Sequence, residues 1–181
     1  MRKIVLYTLL SVDGVAEAPE TFVVDFDADM NANLAEVIGT QDAVLLGRVM
    51  YDEWAEYWPT ATDQPFADFI NGVQKYVATS TPPGKTWANT SVIDGSATDF
   101  VRDLKSQPGG DIGIHGSIML AQSLLAAGLV DELRLVVAPC VLGTGRRLFD
   151  GPGTPTKVEM IESSGTPSGA LLVGYRVAGA S

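Results

Sequence analysis

The sequence is poor in the residues that bind metal ions, form disulfides or attract nucleic acid. Among 181 residues, Cys140 is the only cysteine and His115 the only histidine. A disulfide within the chain is therefore impossible, no metal site is predicted, and a lone thiol is typical of the reducing cytoplasm. Lys and Arg number 12 against 22 Asp and Glu, for a net charge of −10. Nucleic acid is not an expected partner, because binding its phosphates needs clustered basic residues.

Long apolar runs and the common nucleotide-binding motifs are also missing. No run reaches the roughly 18 apolar residues of a membrane helix, so no membrane contact is expected. Neither G-x-G-x-x-G nor G-x-x-x-x-G-K occurs, which disfavours an ordinary Rossmann enzyme and a P-loop NTPase. The composition is globular, with 46% apolar and 19% charged residues. The length predicts a single domain over residues 1–181.

Apolar spacing and breaker residues predict alternating strands and helices. Predicted strands cover residues 3–10, 43–46, 75–79, 91–93, 111–114 and 131–137. Predicted helices cover residues 29–39, 49–57, 65–73, 96–104 and 117–127, with Asp29 and Ser96 as the expected N-caps of the first and fourth. The tail alternates apolar and polar residues over 156–162 and 170–177, which indicates an antiparallel hairpin. The pattern predicts an α/β fold with a mostly parallel central sheet and an antiparallel C-terminal hairpin.

Four segments should meet where the parallel strands end. They are residues 9–14, 47–50, 79–80 and 115–119, each rich in glycine, hydroxyls or arginine. Ligands of such sheets bind at the carboxyl ends of the strands, where N–H groups at a helix start favour a phosphate and glycine allows close approach. The residues alone therefore predict an anion-binding or nucleotide-binding edge. Gly116 by itself fits a purely structural turn better than a binding role.

Several segments, in order along the chain, carry the signatures of one family. They are Ser11-Val12-Asp13-Gly14, residues 45–51 (LLGRVMY) and residues 114–117 (IHGS). They resemble the S-x-D-G, L-L-G-R-x-T-Y and I-G-G-G motifs of the dihydrofolate-reductase-like family, which includes the reductase domain of the bifunctional riboflavin-biosynthesis deaminase–reductase. The likeness continues through 129–133 and 138–149 and covers nearly the whole chain. It implies the three-layer fold of that family.

The resemblance also implies that NADPH lies across the edge of the sheet. Gly47 and Arg48 would meet the phosphates on the adenosine side, and Thr79 and Ser80 would lie beside the ribose phosphate. The pyrophosphate turn would comprise Gly116, Ser117, Ile118 and Met119. The backbone around Thr8 and Leu9 would face the nicotinamide carboxamide.

Two positions depart from the family pattern at this cofactor site. Met50 stands where many relatives have a cofactor-contacting threonine, and His115 replaces the first glycine of the turn. A side chain at His115 is expected either to crowd the phosphates or to donate a hydrogen bond to them. The alternative is that His115 is simply a residue at the start of a helix.

The reaction implied by the family also needs a proton. Hydride transfer requires the two carbon atoms within about 3–3.5 Å of each other, and the proton comes from water or from an acid whose pKa burial has raised. The candidate acids are Asp13, Asp25 and Asp27, each of which fits a loop or capping role as well. Folate reduction is not expected, because Asn31 and Asn33 lie where dihydrofolate reductases carry the carboxylate of their first helix.

Aromatic and basic residues suggest where a substrate binds. Phe26 and Trp54, together with Trp58, would wall a planar heterocycle, although core or dimer contacts are equally expected of aromatic side chains. Arg146 and Arg147 fit either a substrate phosphate or a solvated turn. The tryptophans and the apolar tail predict more exposed apolar surface than a monomer tolerates, so a homodimer is expected.

The function predicted from the sequence is an NADPH-dependent reduction of a small planar heterocycle, pterin-like or pyrimidine-like. A reductase of riboflavin biosynthesis stays open, although the H-x-E and P-C-x-x-C ligands of the fused zinc deaminase are missing here. The alternative is a non-catalytic nucleotide-binding protein that kept the fold, since fold alone does not settle function.

Overall fold

A computed structural model describes residues 1–150 and 155–179, and within them the strands form one eight-stranded sheet. The strands are β1 Ile4–Ser11, β2 Gln41–Gly47, β3 Gln74–Ala78, β4 Thr90–Val92, β5 Asp111–His115, β6 Glu132–Ala138, β7 Val158–Gly165 and β8 Leu171–Val177. Their order in the sheet is β4-β3-β2-β5-β1-β6-β8-β7. Strands β1 to β6 pair in parallel, while β8 pairs antiparallel with β6 and β7. The predicted α/β fold with its antiparallel C-terminal hairpin is confirmed.

Helices cover both sides of this sheet. They are α1 Ala28–Ile38, α2 Arg48–Tyr57, α3 Phe66–Gly72, α4 Ala97–Ser106 and α5 Ile118–Ala126, and 3₁₀ turns lie at Pro19–Thr21 and Trp58–Thr60. Helices α1 to α3 pack on one side, which we call the aromatic side, and α4 and α5 pack on the other, the aliphatic side. Side chains of a strand alternate between the two sides. On β1, Leu6 therefore faces the aliphatic side and Tyr7 the aromatic side.

The start of α1 differs from the sequence prediction. Asp27, not Asp29, is the N-cap, and its carboxylate accepts a hydrogen bond of 2.9 Å from the N–H of Met30. Asp29 lies in the first helical turn and is exposed. The two aspartates carry the same chemical signal, and only the extended backbone at Asp27 brings a carboxylate to the free N–H group. Ser96 caps α4 as predicted, by accepting from the N–H of Asp99 at 3.3 Å.

The strand before the glycine turn is longer than predicted. His115 is the last residue of β5 and pairs with Tyr7 of β1, so the turn begins only at Gly116. Gly116 has a φ of +73°, a conformation that favours glycine. The predicted placement of His115 in the turn was therefore wrong.

The C-terminal hairpin forms the far edge of the sheet. All eight residues of β7 are exposed, including Val158, Met160 and Ile161. In the part of the chain that the structure describes, no helix has both the length and the apolar character needed to span a membrane.

Candidate functional site

Two helices begin without a side-chain cap at the carboxyl ends of neighbouring strands. Helix α2 follows β2 directly and α5 follows β5 after a two-residue turn, and β2 and β5 are adjacent in the sheet. Their N-cap residues, Gly47 and Ser117, make no capping hydrogen bond from a side chain. The first N–H groups of an α-helix lack partners within the helix. Together with the helix dipole they form a binding site for an anion.

In the other long helices, side chains accept hydrogen bonds from the free N–H groups at the helix start. Asp27 caps α1 and Ser96 caps α4 with their own side chains. The short helix α3 also lacks a side-chain cap, but it follows a loop rather than a strand end. The uncapped starts at strand ends are thus those of α2 and α5, where the sequence predicted cofactor contacts.

A hydrogen bond joins the two uncapped starts. The N–H of Gly47 donates to Oγ of Ser117 at 2.9 Å, and Ser117 is 6% exposed. Among the described residues no group accepts the hydroxyl hydrogen of Ser117, which leaves it able to donate. Gly47 and Ser117, both predicted cofactor residues, are therefore brought together.

The turn between β5 and α5 favours glycine because Gly116 has a φ of +73°, and side chains of α2 lie close over it. A methyl group added at Gly116 would lie 2.9 Å from Cε of Met50 and 3.7 Å from Cζ2 of Trp54. Met50 and Trp54 therefore cover this turn from α2, and both are half-buried. Ile118 is buried at the start of α5, whereas Met119 is 74% exposed beside it.

Strand β1 passes next to this turn with a free edge. Its pairing with β5 ends at Tyr7 and His115, while its pairing with β6 continues to Ser11 and Ala138. The stretch from Thr8 onward therefore has no strand on its β5 side. Thr8 is buried, and its hydroxyl has no partner among the described residues.

The predicted adenosine-side residues lie at the ends of β2 and β3. The Arg48 guanidinium is 3.2 Å from the Asp52 carboxylate and its side chain is 45% exposed. Oγ1 of Thr79 accepts from the N–H of Thr81 at 3.1 Å, and Ser80 is exposed. Gly47 pairs with Ala78, so these residues follow neighbouring strand ends, and Arg48 and Thr79 make local contacts.

An open cleft of about 320 Å³ lies beside the start of α5. It is lined by Ile118, Met119, Gln122, Arg146, Arg147 and Asp150. Nε of Arg146 is 2.7 Å from the Glu17 carboxylate, and Nε of Arg147 donates to the carbonyl of Asp13 at 3.0 Å. The two arginines therefore fasten their loop to the loop after β1 and also line the cleft.

Two of the predicted acids have pKa values opposite to the expectation. Asp13 accepts from the N–H groups of Leu142 at 3.0 Å and Gly143 at 2.8 Å, and these bonds, with that of Ser11, hold its pKa well below the usual range. The N–H of Met30 does the same for the pKa of Asp27.

Both carboxylates are thus ionised and hold loops together, so the prediction that burial raises their pKa values was wrong. A carboxylate held ionised in this way is a poor proton donor. Asp25 is exposed on the loop before α1, and the catalytic role predicted for it stays a prediction.

The imidazole of His115 does not face the turn where the pyrophosphate contacts were predicted. His115 is 3% exposed, and its Nε2 is 2.8 Å from Oε1 of Gln41. Its ring lies 5.3 Å from the ring of Phe66 and 5.9 Å from that of Tyr7. Burial lowers the pKa of His115 to about 3. The expectation that this side chain crowds or donates to phosphates is therefore corrected: it is a neutral core residue.

Two of the aromatic residues predicted to wall a substrate, Trp54 and Trp58, contact each other. The Trp54 ring lies 5.8 Å from Trp58 and 5.5 Å from Phe66. We call Tyr7, His115, Phe66, Trp54 and Trp58 the aromatic cluster. Trp54 and Trp58 are half-buried within it, so they expose less apolar surface than expected, and their contact with a second copy stays a prediction. Phe26 is half-buried and packs on the same side.

Tyr7 is a member of this cluster that the sequence pattern does not reveal. It lies within an otherwise aliphatic strand, where periodicity marks it only as buried. The available signal was chemical, because a buried tyrosine needs a hydrogen-bond partner.

The fold and the uncapped edge define an α/β protein with a reductase-like fold. The family model of the RibD C-terminal domain matches residues 2–172. The chain therefore belongs to the RibD C-terminal domain family, as the motif resemblance predicted.

Two proteins of similar sequence match this chain over nearly their whole length. The uncharacterized proteins YyaP and YwjB of Bacillus subtilis (strain 168) are each 28% identical, the first over 178 residues and the second over 162. These alignments cover 96% of this chain and 94% of YyaP, and 88% of this chain and 89% of YwjB.

Solved structures share the fold at low sequence identity. A protein from Shewanella sp. PV-4, described as a candidate riboflavin biosynthesis protein, has a TM-score of 0.76 at 17% identity and covers 97% of this chain and 98% of its own. A pyrimidine reductase-like protein of Corynebacterium diphtheriae has a TM-score of 0.69 at 16% identity, covering 97% and 92%. The Thermotoga maritima diaminohydroxyphosphoribosylaminopyrimidine deaminase/5-amino-6-(5-phosphoribosylamino)uracil reductase has a TM-score of 0.68 at 12% identity, covering 98% of this chain and 57% of its own.

Proposed function

We propose that this protein is an NADPH-dependent reductase of a small planar heterocycle. The observation that carries the proposal is the pair of uncapped helix starts, joined by the Ser117–Gly47 hydrogen bond and bordered by the aromatic cluster. An anionic cofactor and a flat ring fit side by side in such an arrangement. NADPH, when bound, supplies a hydride from its nicotinamide ring.

The residues present fit a dinucleotide. The N–H groups that begin α2 and α5, with the hydroxyl of Ser117, would bind phosphate oxygens. The free edge of β1 from Thr8 onward would bind the carboxamide through backbone groups, since a buried strand edge has N–H and C=O groups to satisfy. Arg48 would meet the 2′-phosphate, which NADH lacks. Because few donors suffice, the acidic net charge does not oppose this binding.

The aromatic cluster and the structural neighbours both support a planar heterocycle as the substrate. Pyrimidine reduction is named for one structural neighbour and reduction of a phosphoribosylamino-uracil for another, and both substrates are planar heterocycles. A pterin has the same character. We infer that the proton comes from water or from Asp25, because Asp13 and Asp27 are committed to holding loops.

A second candidate function is nucleotide binding without chemistry. One observation favours it: the buried titratable side chain next to the turn, His115, has its pKa lowered to about 3 and so does not deliver a proton near neutral pH. Turnover distinguishes the two candidates, because both bind NADPH and only the reductase oxidises it.

The test is a calorimetric titration with NADPH followed by an oxidation assay against pterins, flavins, aldehydes and phosphoribosylamino-uracil. Ser117→Ala should weaken NADPH about tenfold, the equivalent of one hydrogen bond of about 1.4 kcal/mol. Ser96→Ala is the matched control, because it removes a serine N-cap at α4 and should cost about 1 kcal/mol of stability without changing NADPH affinity. Wild-type protein that does not bind NADPH would refute the proposal, and binding without oxidation of any panel member would favour the second candidate.

We also propose that the protein is a cytoplasmic homodimer. The location rests on the single thiol of Cys140. The assembly rests on β7, whose exposed edge has unpaired backbone groups and exposed apolar side chains. Such an edge invites pairing with another strand, and the β7 of a second copy related by a twofold axis would satisfy it. Sedimentation velocity at micromolar concentration should show a dimer that Met160→Glu weakens; a monomer at all concentrations would contradict this.

A further inference from the structure

Tyr7 buries a hydroxyl that the protein itself does not use. Tyr7 is 5% exposed, and its Oη has no hydrogen-bond partner among the described residues. Buried polar groups are nearly always paired, because an unpaired one loses its bonds to water without replacement. Burial also raises the pKa of Tyr7. The hydroxyl therefore keeps its proton over the working range of pH and can act as a donor.

Trp58 presents a second unpaired donor in the same cluster. Its Nε1 is buried and has no acceptor among the residues that the structure describes. Ring contacts connect it to Tyr7: the Trp58 ring lies 4.8 Å from Phe66, Phe66 lies 5.3 Å from His115, and His115 lies 5.9 Å from Tyr7. Both unpaired donors thus belong to one continuous aromatic cluster.

Elsewhere on the aromatic side the equivalent donors are paired. The hydroxyl of Tyr51 donates to the carbonyl of Lys85 at 3.3 Å, and Nε1 of Trp87 donates to Oδ1 of Asn71 at 2.9 Å. The Tyr51 and Trp87 rings contact each other at 6.1 Å. The chain therefore supplies acceptors for a buried tyrosine and tryptophan where they serve only the core. By contrast, the donors of Tyr7 and Trp58, in the aromatic cluster that reaches the Gly116 turn, have no partner among the described residues.

Half-buried side chains separate the cluster from the predicted cofactor edge. Met50 and Trp54 lie over Gly116, and together with Leu9 and Phe26 they are the half-buried rim of this side of the core. A flat ring that displaces the rim side chains would lie among aromatic rings next to the turn. There it would meet donors and no charged group, because the pKa of His115 is lowered to about 3 and its ring is neutral.

We propose that the Tyr7 hydroxyl and the Trp58 indole N–H donate hydrogen bonds to acceptor atoms of the heterocyclic substrate. This inference rests on the proposed function and names the residues that select its substrate. A site with buried donors rejects an analogue that lacks the matching acceptor, since the donors then stay unpaired. The selected ring should carry a carbonyl oxygen toward the cluster.

The experiment compares Tyr7→Phe with Tyr51→Phe, a matched control that removes the hydroxyl of a buried tyrosine with an internal partner. The probes are pterin and 5,6-diaminouracil, which carry a carbonyl, and 2,4-diaminopteridine, which has an amino group in place of the pterin carbonyl. Affinities are measured by calorimetry in the presence of NADPH, and Tm by thermal unfolding. Trp58→Phe is measured in the same way.

Tyr7→Phe should weaken the carbonyl-bearing probes roughly tenfold and reduce the preference for pterin over 2,4-diaminopteridine. Its Tm should stay unchanged or rise by about 2–4 °C, because no internal bond is lost. Tyr51→Phe should lower the Tm by a similar amount and leave probe affinity unchanged. Trp58→Phe should likewise weaken the carbonyl-bearing probes.

Three results would overturn the inference. They are equal probe affinity of Tyr7→Phe and wild type, a loss of Tm in Tyr7→Phe as large as in Tyr51→Phe, and no binding of either carbonyl-bearing probe to wild type. Failure of the proposed function has a separate sign, because wild-type protein would then fail to bind NADPH itself. NADPH affinity in the absence of probe should be the same in Tyr7→Phe and wild type.

Discussion

The two sides of the sheet are filled with different kinds of side chain. On the aliphatic side, every fully buried apolar residue that the structure describes is Ile, Leu, Val or Ala. On the aromatic side the core includes tyrosine, phenylalanine and tryptophan, and it encloses the buried side chains of His115 and Lys75. Lys75 is fully buried, donates to the carbonyls of Ile70 and Val73, and lies 4.5 Å from the ring centre of Trp87. Burial lowers the pKa of Lys75 to about 8.

This difference separates what stabilises the fold from what recognises a ligand. Branched aliphatic side chains fill volume without polar atoms to satisfy, so their whole contribution is burial and packing. Aromatic and polar side chains add directional contacts. An unpaired hydrogen-bonding group among them gives a binding site its selectivity. We therefore expect substitutions in the aliphatic core, away from the start of α5, to lower stability and to leave ligand binding unchanged. Substitutions on the aromatic side should change pH dependence or binding.

The largest expected effect is on the aliphatic side. Leu124 of α5 has no exposed surface, and Leu124→Ala should lower the free energy of unfolding by about 2–5 kcal/mol, through lost burial and the cavity that remains. Urea denaturation measures this change. NADPH affinity of the folded variant should stay at the wild-type level, because Leu124 lies in the last turn of α5 and away from its start.

Leu125→Ala is the control for this prediction, since Leu125 is the next residue and only partly buried. Its loss of stability should be clearly smaller. Equal losses for the two leucines would mean that the aliphatic core does not depend on the packing described for α5.

The next effect is a pH dependence from the aromatic side. His115 has a pKa of about 3 in the folded protein against about 6.5 unfolded. Between these values the unfolded chain binds one more proton, so stability rises with pH and is lost as the pH falls below about 6.5. The free energy of unfolding should fall by about 1.4 kcal/mol per pH unit, or about 2 kcal/mol between pH 6.5 and 5.

Chemical denaturation at a series of pH values measures this slope. His115 is the only histidine, so the window above pH 5 isolates it from the carboxylates. His115→Gln removes the titrating group and keeps a side chain that can bond to Gln41, so its stability should be nearly flat over the same window. An unchanged slope in this variant would exclude His115 as the cause.

Much of the fold could be predicted because its signals are local. The apolar run Ala43 to Leu46, ended by Gly47, predicted β2, and the alternating tail predicted the hairpin of β7 and β8. The positions of the cofactor segments followed from the rule that parallel strands end at one edge. The family resemblance then implied which groups of a cofactor each segment would contact, which local patterns do not contain.

The site residues that were mistaken depend on distant parts of the chain. Asp13 owes its lowered pKa to Leu142 and Gly143, which lie far along the sequence. The side to which His115 points is set by the register of β5 against β1, and its partner Gln41 comes from another strand. Such facts arise from tertiary packing, so residue type and spacing carry no signal for them.

The smallest effect is expected at the start of α2, next to the predicted cofactor edge. Arg48 is half-exposed and paired with Asp52 at 3.2 Å, so a bound 2′-phosphate must compete with that carboxylate. A charge-assisted hydrogen bond contributes about 1.5–3 kcal/mol. Because of this competition we expect the lower end, so Arg48→Ala should weaken NADPH about tenfold. NADH, which has no 2′-phosphate, should change much less. Calorimetric titration of both cofactors against wild type and variant measures the difference.

Arg147→Ala is the comparison that sharpens this prediction, because Arg147 lines the cleft beside the start of α5 on the aliphatic side. A phosphate bound there would be common to both cofactors, so any loss should be the same for NADPH and NADH. Asp52→Asn should strengthen NADPH binding by freeing the Arg48 guanidinium. Equal small losses of both cofactors in Arg48→Ala would mean that the Arg48–Asp52 pair is only a surface contact, worth a few tenths of a kcal/mol. The selectivity for NADPH would then have to come from another group at the ends of β2 and β3.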